Sequence, residues 1–313
     1  PKKIKTLFIK SSLLLPLEDL KLVPKNSKWV KLLSSHWIAG EDQALKNFNY
    51  FKNSIIENYE KGRDRPDKNH TSKLSPHLHF GEISPEKIFL EIYKKKILSY
   101  QSKKKFLAEI GWREFSYNLL FNYPHIRTNP IQEKFKNFPW KKNIKHLKAW
   151  QEGRTGFPIV DAGMRQLYQT GWMHNRVRMI VGSFLCKNLL IHWREGEKWF
   201  FDTLVDADLG SNSAGWQWIA GCGADAAPYF RVFNPLTQGL KFDSDGKYVK
   251  KYIPEIAEIP SDKVHAPWKL NRDDQLKYKC ILGKHYPKPI VNLSESRERA
   301  LEAFATLKMA RYE

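Results

Sequence analysis

From Trp29 onward, apolar residues recur at three- and four-residue intervals, as in "SHWIAGEDQALKNFNYF" and "KKFLAEIGWREFSYNLLFNY". That spacing places them on one face of a helix, and no stretch shows the convincing alternation of period two that a strand requires. A chain patterned this way can bury its apolar surface only by packing helix on helix, so the expected fold class is all-α. The punctuation agrees. In "HTSKLSPHLHFGEISPEKIFLEIYKKK", Ser75-Pro76 and Ser84-Pro85 each read as an N-cap followed by proline at the first helical position. Gly171 reads as the C-terminal glycine of the helix containing "DAGMRQLYQT". There is no internal repeat and no low-complexity segment. Residues 1–27, with Pro16, Pro24 and little periodicity, read as a connector, and residues 28–313 as the helical domain. Because the first residue is Pro1, an N-terminal segment is expected to be missing from this chain.

The 313 residues include 42% hydrophobic ones, enough for a sizeable core. Against 33 acidic residues stand 53 Lys and Arg, a formal net charge of +20. Such an excess costs self-repulsion and favours a polyanionic partner, a nucleic acid or an anionic membrane surface. No run approaches the roughly 18 apolar residues of a membrane span. The opening "PKKIKTLFIKSSLLLPLEDL" imitates a secretory signal, but Lys10 interrupts it and no small-residue cleavage site follows. Cys186, Cys222 and Cys280 have neither metal nor redox spacing, which suits a reducing, cytoplasmic compartment. The lysine runs 94–96 and 103–105 read as solvated helix faces. Eleven tryptophans are more than packing alone asks for.

Several constellations carry chemistry-bearing residues. In "LAEIGWREF", Glu109, Trp112 and Arg113 stand at i, i+3 and i+4, so one face presents a carboxylate, an indole and a cation. In "GWMHNRVRMIVGSFL", Trp172, Asn175 and Met179 are spaced to share a face flanked by Arg176 and Arg178. In "LVDADLGSNSAGWQW", Asp206, Asp208 and Asn212 precede Trp216 and Trp218. No histidine or third carboxylate completes a metal-ligand set there, so no metal is expected, and sugar hydroxyls or ring N–H groups suit the two acids as well. "TSKLS" offers Thr71, Ser72 and Ser75 at a helix start, where phosphate binds readily. Each of these, taken alone, is equally consistent with ordinary capping, ion pairing or core packing.

Taken together and in order, "TSKLSPHLHFGEISP", "EIGWREF", "AWQEGRTGFPIVDAGMRQLYQTGWMHNRVRMIVGSFL", "HWREGEKWF", "DADLGSNSAGWQW" and "GADAAPYFRVFNPLTQ" resemble the flavin-binding region of the photolyase–cryptochrome family. The resemblance runs from about residue 29 to "YPKPIVNLSESRERALEAF". It implies a helical domain holding FAD in a bent form beneath an opening for DNA. Tyr59, Thr71, Ser72, Leu74 and Ser75 would bind phosphates and ribityl chain. Asp206 and Asp208 would contact sugar or flavin ring, with Arg178 paired to Asp206, and Asn212 would face the flavin N5. Asparagine there is typical of repair enzymes, whereas plant cryptochromes usually carry aspartate. Trp140, Trp193 and Trp216 would form an electron-transfer chain. Glu109, Arg113, Asn175 and Met179 would face the lesion between Trp112 and Trp218, with Arg176 on phosphates.

This pattern resembles the bacterial-type (class I) cyclobutane pyrimidine dimer photolyases, which split the dimer with an electron from photoexcited FADH⁻. The expected partner is UV-damaged DNA, met by a monomer in the bacterial cytoplasm at the nucleoid, with no membrane involved. A folate or deazaflavin antenna is expected only if an N-terminal α/β domain, absent from this chain, exists. Two other readings stand beside it: a cryptochrome-like photoreceptor, and a cofactor-free, basic, helical nucleic-acid-binding module. Lys73 stands where arginine is common, Gly111 interrupts a helix by roughly 1 kcal/mol, and Arg231 has only a loose role near substrate or phosphate.

Overall fold

The computed structural model describes residues 15–22, 27–224 and 231–309. Every regular element among them is helical, and β pairing is limited to one isolated bridge, Leu282 with Tyr286. Pro24, the signal-like opening up to residue 14, and residues 225–230 of the "GADAAPYF" motif lie outside the described residues. Packing divides the chain after Ile38. The first unit contains the helix Lys28–Ser34, capped by Ser27, whose hydroxyl accepts from the Val30 amide at 3.2 Å. The second carries all the helices from Glu41 onward.

In that second unit the apolar spacing becomes buried stripes. Glu41–Tyr50 buries Ala44 and Phe48, and Pro85–Lys94 buries Ile88 and Ile92, each pair four residues apart. Ser84 caps the latter helix by accepting from Lys87 N at 3.3 Å, with Pro85 at its first position. Gly171 ends Pro158–Thr170 at φ 66°, the left-handed conformation glycine adopts without strain.

Two expectations need correction. Ser75 is the first residue of the helix Ser75–His79 rather than its cap. Leu74 precedes it, 1% exposed, with its carbonyl accepting from Leu78 N at 2.8 Å, so burial of Leu74 starts the helix one residue early. Trp172 does not share a helix with Asn175 and Met179. The chain turns at Gly171, and the next helix, Asn175–Ser183, begins only after His174, whose Nδ1 accepts from Arg176 N at 3.2 Å. Burial lowers the His174 pKa to about 4, and the neutral imidazole that results is the form able to cap.

Two apolar cores result. One gathers Phe48, Phe51, Tyr59, Leu74, Ile88 and Phe106; the other is built around Trp150, Phe157, Phe184, Trp193 and Trp216. The long helix Tyr100–Asn122 belongs to both regions, burying Phe106 and Ile110 early and packing on Leu209–Ala220 later. The contact is close, since a Cβ on Gly210 would stand 3.3 Å from the Ser116 carbonyl oxygen. Beneath the second core lies Asp161, fully buried. It accepts from Thr155 N at 2.7 Å, Thr155 Oγ1 at 2.6 Å, Gly156 N at 3.0 Å and Tyr286 Oη at 2.6 Å. That one carboxylate ties the 155–156 turn and the C-terminal region to the start of Pro158–Thr170.

Two helical glycines should respond in opposite ways. A Cβ on Gly111 meets nothing within 4 Å, whereas one on Gly196 comes within 2.1 Å of the Trp216 ring. Gly111→Ala is therefore expected to stabilise the domain by about 1 kcal/mol. Gly196→Ala is expected to cost about 1–3 kcal/mol through overpacking. Denaturant unfolding of the two variants checks the pair, and equal shifts would contradict the packing described.

Candidate functional site

A cavity of about 540 Å³ lies among the helices Tyr100–Asn122, Asn175–Ser183, Trp193–Thr203 and Leu209–Ala220. That size is in the range of small-molecule sites. Of the residues expected from sequence, Glu109, Trp112, Asn175, Arg178, Met179, Asp206, Asp208, Asn212, Trp216 and Trp218 line it. Segments up to 109 residues apart in the chain thus meet on one surface.

One wall is acidic and rigidly hydrogen-bonded. Arg178 Nη2 reaches both oxygens of Asp206, at 2.8 and 3.1 Å, while its Nε donates to the Met173 carbonyl at 2.8 Å. The Asp206 side chain is 3% exposed, so the guanidinium supplies the partner a buried carboxylate needs. Asp208 caps Leu209–Ala220 by accepting from Ser211 N at 2.7 Å, and it also accepts from the Tyr117 hydroxyl. Burial pushes the Asp208 pKa up, but the Tyr117 and Ser211 hydrogen bonds outweigh it and hold the carboxyl below its usual range. Asn212 Nδ2 donates to the Glu197 carbonyl at 3.0 Å, which fixes the amide on the neighbouring helix.

The facing wall comes from the long helix. Glu109 is gripped by Arg63 Nη1 at 2.6 Å, and Arg63 itself lines the cavity. Sequence reasoning missed Arg63. The available signal was its i+4 spacing from Tyr59, over whose ring its guanidinium sits at 5.3 Å. Trp112 is half exposed at the cavity, against Phe115 at 5.7 Å. Two expected cations stand off the cavity in pairs of their own. Arg113 contacts Glu114 and lies 4.6 Å over the Tyr117 ring. Arg176 pairs with Asp64 at 2.9 Å and lies 4.4 Å over Phe242.

The remaining expected residues also lie off the cavity lining. Tyr59 and Leu74 are buried in the first core, Thr71 and Ser72 are partly exposed, and Ser75 is exposed at its helix start. Ser72 Oγ accepts from Leu74 N at 3.4 Å, a local turn contact. Trp193 is buried at the head of its helix, one turn from the Gly196 against which Trp216 rests. Trp140 packs on the second core. The His192 ring, unremarked in the sequence, stands 5.1 Å from Trp140 and 5.5 Å from Trp193. Arg231 is exposed, and its carbonyl accepts from Lys187 Nζ at 2.5 Å, burial having lowered that lysine to about 8.

The cavity's chemistry suits a large, flat, polar-edged ring system. Ile219, Phe200, Leu204 and Trp216 offer apolar faces, and Asp206, Asp208, Ser211 and Asn212 offer polar edges. Gly215 leaves open space on the wall, with nothing within 4 Å of where its Cβ would be. Outside the lining, buried His79 Nδ1 lies 3.6 Å from Asp208 Oδ2 and has no hydrogen-bond partner among the described residues. These features fit a flavin with its ribityl chain. Among the described residues no three His, Cys, Asp or Glu side chains converge as a metal site would require. No described helix is long and apolar enough to cross a membrane.

Comparison with known proteins agrees with that fit. Residues 106–306 match the family described as the FAD binding domain of DNA photolyase. A deoxyribodipyrimidine photo-lyase of Agrobacterium fabrum is 50% identical over 293 residues, covering 93% of this chain and 61% of the relative. Cryptochrome-1 of Arabidopsis thaliana is 41% identical, covering 88% of this chain and 42% of the relative. The crystal structure of a bacterial class III photolyase from Agrobacterium tumefaciens superposes with a TM-score of 0.90 at 49% identity, covering 94% of this chain and 61% of that one. The chain therefore spans about three fifths of the length of the photolyases it matches. With the family match running over well above half of its length, the chain belongs to the photolyase–cryptochrome family through its FAD-binding domain.

Proposed function

We propose that this chain is the flavin- and lesion-binding part of a light-dependent deoxyribodipyrimidine photo-lyase acting on UV-damaged DNA. The observation that carries the reading is a single cavity shared by two sets of side chains. Arg178, Asp206, Asp208 and Asn212 suit a flavin, and Glu109, Trp112, Asn175, Met179 and Trp218 suit a pyrimidine pair. Bound there as FADH⁻, the flavin would supply on blue-light excitation the electron that opens the cyclobutane ring and would take it back, with no net redox change.

The protein's part is binding and placement. With one Nδ2 hydrogen donated to the Glu197 carbonyl, the Asn212 amide is oriented, and its oxygen would accept from a flavin N5–H. Arg63 orients the Glu109 carboxylate, which would accept from a thymine imide N–H. Extruding a dinucleotide costs a few kcal/mol, as for base-flipping enzymes generally, photolyases among them, and less for a lesion already poorly stacked. Trp112 and Trp218 offset that cost, since each aromatic–base contact contributes about 1–3 kcal/mol. The +20 net charge draws the phosphate backbone and makes affinity fall with salt. Thr71, Ser72 and Ser75 would meet the flavin phosphates, and Tyr59 and Leu74 would support them. Trp216, Trp193 and Trp140 would carry an electron inward during photoreduction of the oxidised cofactor.

Residues 1–27 would act as an interdomain connector, an antenna would be bound only if an N-terminal domain exists, and the enzyme would work as a monomer on nucleoid DNA. The lesion-side residues resemble the class I pattern, while one similar solved structure is a class III enzyme; the chemistry proposed does not turn on that division. The 41% identity to a cryptochrome favours a second reading, a flavin photoreceptor without repair.

Blue light on chemically reduced, flavin-loaded protein is expected to restore intact thymines in a dimer-containing oligonucleotide, measured by chromatography. Flavin-loaded protein that leaves the dimers untouched would favour the photoreceptor. Separately, Trp140→Phe, off the cavity, is expected to impair photoreduction of oxidised flavin while chemically reduced enzyme still repairs. Unchanged photoreduction in a spectrophotometer would remove the tryptophan chain.

A further inference from the structure

Tyr117 has no place in the chemistry described so far. Its ring is on the outer part of the long helix, 36% exposed, and its hydroxyl donates across to Asp208 Oδ2 on the Leu209–Ala220 cap. One turn earlier, Arg113 lies 4.6 Å over the same ring, with Nη2 3.5 Å from the hydroxyl. Asp208 lines the cavity and Tyr117 does not. The tyrosine can therefore reach the cavity only through the carboxylate.

We propose that Tyr117 is a positioning residue for Asp208, orienting its second carboxylate oxygen and keeping it an acceptor for the flavin. The proposal rests on the reading that Asp208 contacts that flavin. The geometry leaves the hydroxyl a distinct job. Oδ1 accepts from the Ser211 amide at 2.7 Å as a helix cap, Oδ2 accepts from the Tyr117 hydroxyl, and the Ser211 hydroxyl adds a further hydrogen bond to the carboxylate. His79 Nδ1, at 3.6 Å, is too far to replace the Tyr117 hydroxyl. The titratable and charged groups facing Asp208 are Tyr117 with Arg113 behind it, from the long helix, and His79 from Ser75–His79. Only the first of these donates directly. Because Gly210 brings the two helices into close contact at Ser116, the link is short and stiff.

The sign follows from the direction of the Asp208 shift. Its carboxyl is held below the usual range although burial opposes ionisation, so whatever the ionised form contributes is lost as pH falls through that lowered pKa. Deleting the Tyr117 hydroxyl removes a donor to the charged form and moves the loss to higher pH. Since His79 is present in wild type and variant alike, the difference between them isolates the hydroxyl.

The test compares wild type, Tyr117→Phe and Asp208→Asn. Carbon-13 NMR of labelled aspartate follows the Asp208 carboxyl in the flavin-free protein, and fluorescence of released FAD follows retention against pH, with circular dichroism confirming that the helices persist. Tyr117→Phe keeps the ring beneath Arg113 and should fold normally. We expect its Asp208 titration and its flavin-release midpoint both to move to higher pH, and flavin affinity at neutral pH to fall about three- to tenfold. An unmoved carboxyl titration overturns the proposal. So does an unmoved release profile in Tyr117→Phe when Asp208→Asn binds flavin more weakly. If Asp208→Asn retains flavin as wild type does at every pH, the reading of Asp208 as a flavin contact is what fails.

Discussion

The ion pair between Arg178 and Asp206 is the constraint from which the site follows. Asp206 is nearly sealed from solvent, and an unpaired carboxylate there would cost several kcal/mol. Arg178 answers it with one nitrogen on both oxygens and a second nitrogen on the Met173 carbonyl. One guanidinium thus fixes the turn after Gly171, the helix Asn175–Ser183 and the loop leading into Leu209–Ala220. Those three pieces carry Asn175, Met179 and Asp208, and the last leads into the helix that bears Asn212. Apolar replacements could pack comparably, but the hydrogen bonds that tie Asp206 to the Met173–Arg178 segment would be lost.

Space itself is supplied by small residues and tryptophan together. Gly196 lets the Trp216 ring lie directly on the Trp193–Thr203 helix, so the indole closes the back of the cavity instead of filling it. Phe200 and Trp150 hold that ring edge-on at 5.0 and 6.1 Å. The same packing brings Trp216 within a turn of Trp193, and His192 then adjoins both Trp193 and Trp140. Trp150, Trp193 and Trp216 are thus buried in one core, with Trp140 packed against it.

Much of this could be read along the chain where the determinant is local. Gly171 and Ser84 act through their own φ or hydroxyl, and both perform as their neighbours imply. Ser75 and Trp172 were misplaced for the opposite reason. Burial of Leu74 decides where one helix starts, and the turn at Gly171 separates Trp172 from the next. At the site, chemical type and motif order identified ten cavity residues, yet not what restrains them. Arg63 on Glu109 and Tyr117 on Asp208 join positions far apart in sequence, the latter pair by 91 residues, and no spacing rule along one helix announces such contacts. Arg113 and Arg176 have partners of their own, the Tyr117 ring and Asp64, and neither lines the cavity.

The central claim is that this cavity is the flavin's seat, and filling it tests that most directly. Gly215 lines the wall, lies in mid-helix and has open space beside it, so Gly215→Leu should strengthen the helix while occupying the cavity. Visible absorption of purified, FAD-incubated protein reports the bound flavin per chain. One flavin per wild-type chain is expected, and for Gly215→Leu a loss of roughly tenfold or more in affinity with unchanged or higher thermal stability. A variant that binds flavin as tightly as wild type, or a wild type that binds none, would contradict the claim.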